Sequence, residues 1–462
     1  MLGPAGPAAA GYLAAGSTRP GPREGLMTMT DEAPAARAHA DQTGRAQGDQ
    51  DPAGTAVIAA GQAASQAAGS LRHAPDDGLD EVLRMIAARL AERARVILAA
   101  NEQDVQAARA GRLAAAFVDR LTLDDGRVKA MTDQLLALAD VPAGERMTRI
   151  RDLPDGLELH ERRRPVGVIG ANFEARPNVV VDIASQLIKS RNAGVLRTGS
   201  SAIRSAAVLT DEVIGPAMQA GGLDPAAIQL LRVPGRESAT ALVRQPALIP
   251  LVILRGSGDS TRDLAREAAL HGVRTLAHAD GGAVLYADAS ADRALALTLI
   301  ERSLDRLGVC NRLNLLLVHD SIWAQLLPEV TGLAQRLGIA LSLPPHHHRL
   351  GHEWALDSGA EATITVARTS GPLDAAAIAN RETSGLAASV VAADADAARQ
   401  FLDGYAGTGA FWNATTRLLD GFRLLSLPET GINIDVVPGP RGPVTFRDLY
   451  LRQYVVLPRA AG

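Results

Sequence analysis

The chain has 462 residues, 47% of them hydrophobic, a single cysteine, and 47 Lys+Arg against 51 Asp+Glu, a formal charge of −4. At roughly 150 residues per domain that length provides two or three cores. The charge balance speaks against a nucleic-acid or polybasic membrane surface, one cysteine excludes a disulfide framework or a cysteine-rich metal site, and no run of about 18 apolar residues suggests a spanning helix. The N-terminus lacks a basic start followed by an apolar run, so the expected compartment is cytoplasmic. Only Lys129 and Lys189 are lysines, so arginine carries nearly all the positive charge. A GC-rich coding sequence would produce that bias, and arginine content alone is no sign of phosphate binding.

Residues 1–54 are Ala, Gly and Pro with scattered charges, too poor in large apolar side chains to offset ordering entropy. They read as a disordered extension or as an upstream start ahead of Met27 or Met29. Asp80–Ala100 places Val82, Leu83, Ile86, Leu90 and Ile97 at helical spacing, and further helices are expected near 101–116 and 124–138. A polar, turn-rich stretch near 142–155 leads to a strand over 157–164. Short apolar strands then alternate with amphipathic helices: 166–170, helix 179–190, strand 193–197, helix 202–220, and strands 228–233 and 251–254. This order implies a parallel sheet with helices on both faces and its strand-end loops along one edge. The alternation resumes from 283 to 391, a second α/β lobe, and 432–457 reads as extended segments around Pro438-Gly439-Pro440.

Four places could carry chemistry. Cys310 stands at a glycine-containing turn before the apolar run 313–318, where it is either a small buried hydrophobe or a thiol aimed into a cleft. The turn 171–178 joins a strand to a helix, where Asn178 either stabilises an oxyanion or merely caps the helix. Arg197 and Thr198-Gly199-Ser200-Ser201 offer donors suited to a phosphate, though not the Gly-x-Gly-x-x-Gly fingerprint. His346-His347-His348 reads as a solvated loop rather than a metal site, because three consecutive imidazoles beside Pro344-Pro345 cannot share a helical face. Gly256-Ser257-Gly258 and Asp280-Gly281-Gly282 read as turns.

Taken together, several segments carry a resemblance. They are Val118–Leu123, Arg164–Gly170, Phe173-Glu174-Ala175-Arg176-Pro177-Asn178-Val179, Lys189–Ala193, Val309-Cys310-Asn311, Leu316–His319, Asn413–Arg417 and Arg441-Gly442-Pro443. In order and spacing the chain from about 55 to 457 resembles the gamma-glutamyl phosphate reductase (glutamate-5-semialdehyde dehydrogenase) family of the aldehyde dehydrogenase superfamily. The resemblance implies an α/β fold with a Rossmann-like cofactor domain (55–285, with 408–431 returning to it), an α/β catalytic domain (286–407) and a β oligomerisation arm (146–164 and 432–460). It implies that Cys310 is the nucleophile toward a small acyl phosphate and that Asn178 helps hold the oxyanion. It places Arg197, Ser200 and Ser201, with Lys189, around the ribose and 2′-phosphate of NADP(H). It implies a homodimer or homotetramer, with the kinase that makes the acyl phosphate as a possible partner, and neither nucleic acid nor membrane.

The stretch Asp280–Ala283 lacks the glutamate with which oxidising relatives hydrolyse a thioester, which suits a reductase. Other departures lie toward the substrate and ribose sides of the cleft. Asn314 and Leu315 replace a glutamate and threonine, and 384–389 lacks the family's histidine. The run 424–429 replaces an aromatic-glycine run, the lysine and histidine expected between Glu429 and Arg441 are missing, and Glu353 and Glu361 lie near an expected acid. Apolar Leu315, Leu386 and Leu424 leave open a less polar acyl group. The alternatives are therefore a relative reducing another acyl phosphate or acyl thioester, and a catalytically inactive regulatory or structural relative.

Overall fold

The computed structural model describes residues 51–459 except 114, 234, 257, 279–280, 358 and 436–438, and excepting the side chains of 115, 116 and 278. All but the last four residues of the expected 1–54 extension lie outside the described residues. At its edge a helix, Pro52–His73, begins instead, with Pro52 at the first position and the Asp51 carboxylate accepting from the Ala53 amide at 3.1 Å. Its buried face is mostly small, Ala64, Ala67 and Ala68 beside Val57 and Leu71. It seats closely on Leu248 and Ile249 at Gly61. The run 80–100 is two helices, Asp76–Glu92 and Ala94–Ala110, parted at Arg93.

Five parallel strands form the first sheet, in the order Ile228–Leu230, Ala193–Thr198, Val168–Phe173, Leu251–Arg255, Arg274–His278. The chain starts in the middle, builds outward to one side, then returns to the other, so a topological switch lies between Val168–Phe173 and Leu251–Arg255. The helix expected over 202–220 is present but irregular. Pro216 cannot donate to the Glu212 carbonyl, the chain widens to a π-helical turn over Leu209–Ile214, and Arg89 Nε takes that carbonyl at 3.2 Å.

A second parallel sheet has six strands, in the order Ala340–Ser342, Thr363–Thr369, Leu313–His319, Ala283–Ala287, Ala387–Val391, Gly409–Trp412. Gly409–Trp412 therefore belongs to this sheet rather than returning to the first, because its backbone pairs with Ala387–Val391. The ribbon expected over 146–164 and 432–460 is a three-stranded antiparallel sheet of Met147–Leu153, Leu157–Pro165 and Tyr450–Pro458. Residues 431–444 contribute a separate hairpin instead. Its strand Gly431–Asn433 lies against the first sheet, with the Ala277 amide donating to Asn433 Oδ1.

Candidate active site

The helix Asn178–Lys189 runs from the carboxyl edge of the first sheet to its opposite edge, and its two ends are chemically unlike. At its start the turn 171–178 leaves the Val168–Phe173 strand and alternates between two cavities. Asn172 and Glu174 line one; Arg176 and Asn178 line the other. Ala175, between them, holds φ 46° and is buried, a left-handed conformation that costs a non-glycine residue about 1 kcal/mol or more. The Asn178 side chain does not cap the helix; its amide donates to Asp182 Oδ2 at 2.9 Å, leaving its second N–H for the cleft. Burial pushes the Asp182 carboxyl up to about 6, against the pull of Arg255 and the Asn178 bond, with Asp420 adding to the rise.

Cys310 lies in the cavity of Arg176 and Asn178, a cleft of ≈ 380 Å³. Its loop is clamped to the segment 416–419. Thr416 Oγ1 donates to the Asn311 carbonyl at 2.8 Å, Asn311 Nδ2 donates to the Leu419 carbonyl at 2.9 Å, and Arg417 binds both Asp305 (2.6 Å) and Asn311 Oδ1. The family-like run Asn413–Arg417 thus positions the thiol from another element. Burial pushes the Cys310 thiol up, Arg176 pulls it down, Glu429 adds to the rise, and Arg255 and Arg417 pull it down again. The Gly282 amide donates to the Cys310 carbonyl at 2.8 Å. A Cβ at Gly281 would stand 2.8 Å from Cys310 Cα, so no side chain, basic or otherwise, fits beside the cysteine there.

Guanidiniums dominate the cleft: Arg120, Arg127, Arg176 and Arg255 from the first lobe, and Arg306, Arg417 and Arg423 from the other side, against only Asp420 and Glu429. Several are held by neighbours. Arg127 binds Asp119 at 2.7 Å, and Arg306 reaches the same carboxylate at 3.1 Å. The Arg120 turn is fixed from beneath by Asn101, which donates to the Leu121 carbonyl and accepts from the Leu123 amide. No periodicity marks these arginines as a group, because they come from separate elements that only the fold brings together.

Arg197, Ser200 and Ser201 line the other cavity, ≈ 430 Å³, with Gly199, Arg236 and Ser260. Arg197 is nearly buried and braces the wall: it donates to Asn172 Oδ1 (3.0 Å), Ser238 Oγ (3.2 Å) and the Gly235 carbonyl (2.5 Å). Arg236, which the sequence did not single out, is exposed and only loosely paired with Asp263 at 3.4 Å. Hydroxyls, two guanidiniums and a position beyond the strand ends, with only Ser201 Oγ (3.8 Å) near a Cβ at Gly199, fit a phosphate-bearing dinucleotide.

Lys189 does not join this group. It ends the helix at the sheet's opposite edge, pairs with Asp80, and lies over the Phe446 ring at 5.8 Å. Six residues of strand, about 20 Å, separate the two edges. Its neighbours are structural too: Arg191 binds Asp76 and the Leu71 carbonyl (3.0 Å), and Asn192 joins Gly167 (2.9 Å) to Leu449 (2.9 Å).

The leucines at the departures are not cavity walls either. Leu315 and Leu386 are fully buried core residues, and Leu424 is exposed. Asn314 donates to the His352 carbonyl at 2.7 Å, holding a loop whose Glu353 Oε2 would stand 2.4 Å from a Cβ at Gly282. Glu361 accepts from the Gly359 amide instead. The histidine run packs as a loop, with His348 edge-on to Trp354 at 4.9 Å, and no metal-holding cluster occurs among the described residues. Asp280 lies outside the described residues.

A five-stranded dinucleotide-type sheet, a cavity suited to a dinucleotide and a thiol in the adjoining cleft define a nicotinamide-dependent oxidoreductase. The aldehyde dehydrogenase family matches over residues 47–346. Gamma-glutamyl phosphate reductases of Clavibacter michiganensis subsp. michiganensis and Parasynechococcus marenigrum are each 34% identical, over 86% and 84% of this chain and 92% and 89% of theirs. The crystal structure of gamma-glutamyl phosphate reductase from Thermotoga maritima superposes with a TM-score of 0.78 at 25% identity, covering 88% of this chain and 99% of that one. An acetylating aldehyde dehydrogenase from Geobacillus thermoglucosidasius shares the fold, with a TM-score of 0.68 at 16% identity over 88% of this chain and 98% of its own. The chain belongs to the aldehyde dehydrogenase family and, within it, to the gamma-glutamyl phosphate reductases.

Proposed function

We propose that the protein reduces gamma-glutamyl phosphate to glutamate-5-semialdehyde and phosphate, with NADPH as reductant and a Cys310 thioester on the path. The observation that carries this is the cleft itself: the chain's single thiol and an amide donor inside a wall of seven guanidiniums. Such a wall suits a substrate bearing a phosphate and a carboxylate. It also favours this reading over a less polar acyl group, because the leucines at the departures lie elsewhere.

Cys310 Sγ attacks the acyl carbon, the Asn178 amide donates to the oxygen that gains charge, and phosphate departs to leave the thioester. The nicotinamide, when bound, supplies a hydride. Return of the proton and loss of the thiol release the aldehyde. The glycines at 281–282 keep a water-activating side chain away from the thioester meanwhile. Exposed Arg236, lining the same cavity as Arg197, would meet a 2′-phosphate, and its loose pairing supports NADPH over NADH.

The antiparallel ribbon exposes Leu451, Tyr454 and Val456 on its last strand, an edge suited to pairing with a second copy, and we assign homo-oligomer formation to it. An acyl phosphate hydrolyses readily, so the kinase that supplies it is the natural partner, in the cytoplasm. Among the described residues no helix is long and apolar enough to cross a membrane.

Phosphate-dependent reduction of NADP with glutamate-5-semialdehyde tests the reading by running the reaction backwards. Wild type should turn over, and Cys310→Ala should lose roughly 10⁴-fold or more in rate. A folded wild type that binds NADPH yet does not oxidise the semialdehyde would refute it.

A further inference from the structure

We infer that Arg176 and Arg255 together form the receptor for the phosphoryl group that leaves when Cys310 is acylated; this rests on the acyl-phosphate reading above. The fold sets the two side by side. Arg255 ends the strand Leu251–Arg255 in register with Phe173, its carbonyl accepts from the Glu174 amide at 3.2 Å, and Arg176 follows two residues later. The Arg255 side chain passes beside Gly431, where a Cβ would stand 3.4 Å from its Cγ and Cδ.

Arg176, Arg255 and Arg417 are the guanidiniums whose fields reach the Cys310 thiol. Arg417 is committed to Asp305 and Asn311, and Arg127 and Arg306, further along the cleft, to Asp119. Arg176 and Arg255 differ: among the described residues neither makes an ion pair or a side-chain hydrogen bond. Glu174, on the same turn, acts on Arg176 at longer range without pairing with it, and the other acids nearby are occupied otherwise. Asp182 accepts from Asn178, Glu429 from the Gly421 amide at 2.8 Å, and Asp420 from the Phe422 and Arg423 amides. Burial and the like charges of Arg255 and Arg120 push Arg176 down to about 10, still protonated at neutral pH. Two adjacent, partly buried like charges that form no ion pair, with Glu174 acting on Arg176 and Asp182 on Arg255 only at longer range, favour the arrival of an anion. A phosphoryl group offers two such guanidiniums more acceptor oxygens than a carboxylate does.

In the step itself the C–S bond forms as the C–O bond to phosphorus breaks. The electron pair leaves on the phosphate oxygen, and the thiol proton departs with it as hydrogen phosphate. The receptor holds this group before and after cleavage, so it sets the affinity for phosphate in the reverse reaction.

The experiment is steady-state kinetics of the reverse reaction, varying inorganic phosphate and glutamate-5-semialdehyde separately, for wild type, Arg176→Gln, Arg255→Gln and Arg255→Lys. The glutamine variants should raise KM for phosphate about tenfold or more and leave KM for the semialdehyde within about twofold, with the lysine variant between. A rise in KM for the semialdehyde with phosphate unaffected would overturn the assignment. Iodoacetamide alkylation of Cys310 supplies a readout that needs no turnover. Phosphate should slow it in wild type, relative to chloride at equal ionic strength, and not in the glutamine variants. Absence of protection, or equal protection in the variants, overturns the receptor. If wild type fails to oxidise the semialdehyde but phosphate protection is present and lost in the variants, the substrate reading falls and the anion receptor stands.

Discussion

The two ends of the helix Asn178–Lys189 carry equally family-like sequence and do opposite work. At its start, Arg176 and Asn178 face a cleft with a thiol in it, and Arg176 forms no ion pair among the described residues. At its end, Lys189, Arg191 and Asn192 are each held by protein partners and touch neither cavity. A charged residue whose bonding capacity is met inside the protein holds the fold together; one left unmet beside a reactive atom is available to a ligand. Arg197 shows the same rule within the cofactor cavity, where it is largely a brace and Arg236 is the freer charge.

The sharpest way to break this comparison is at the helix start. Asn178→Ala should lower kcat of the reverse reaction by about 10²–10³-fold, the usual loss for one oxyanion donor, with KM little changed. An unchanged kcat would return Asn178 to an ordinary helix residue.

At the other end the signs reverse. Lys189→Met leaves Asp80 without its ion-pair partner, with only Arg84 acting on it at longer range, and should cost about 3 kcal/mol in urea unfolding, while the folded fraction keeps its KM for NADP within about twofold. A raised KM for NADP with stability intact would put Lys189 back in the cofactor site.

Asp182 provides a smaller, pH-dependent test. Its carboxyl is raised in the folded state, so the native protein holds that proton more tightly than the unfolded chain. Stability through this group therefore falls as pH rises from about 4 to about 6, and the full cost remains above. Asp182→Asn should raise the Tm by about 2–4 °C at pH 7.5 and by less at pH 4. The same variant, whose amide oxygen can still accept from Asn178, should also lose an acid limb in kcat near pH 6. Equal changes in Tm at both pH values would show that the carboxyl is not raised.

Much of this was readable in advance. The strands 168–173, 193–198 and 251–255 announce themselves as apolar runs between turns, and Cys310 and Asn178 stand in segments specific enough to be picked out. Three things were not readable. The helix Pro52–His73 buries alanine and glycine, so it lacks the large apolar stripe that periodicity detects, and only Asp51-Pro52 marked its start. The strand Met147–Leu153 is exposed along almost its whole length and shows no alternation. The arginine wall could not be seen in a chain where arginine is everywhere, since its members lie from 120 to 423 and meet only after folding. Leu315 and Leu386 misled for the converse reason: a substitution near a motif reads as a change in the pocket, yet both side chains turn into the core.

The central claim is that Cys310 becomes acylated in this cleft and that phosphate then takes the acyl group. Rapid mixing of the protein with glutamate-5-semialdehyde and NADP in the absence of phosphate measures that directly. A burst of NADPH approaching one per chain is expected, with an acyl group on Cys310 by intact-mass and peptide analysis and steady turnover only when phosphate is added. Steady turnover without phosphate, or a burst that survives in Cys310→Ala, would contradict it.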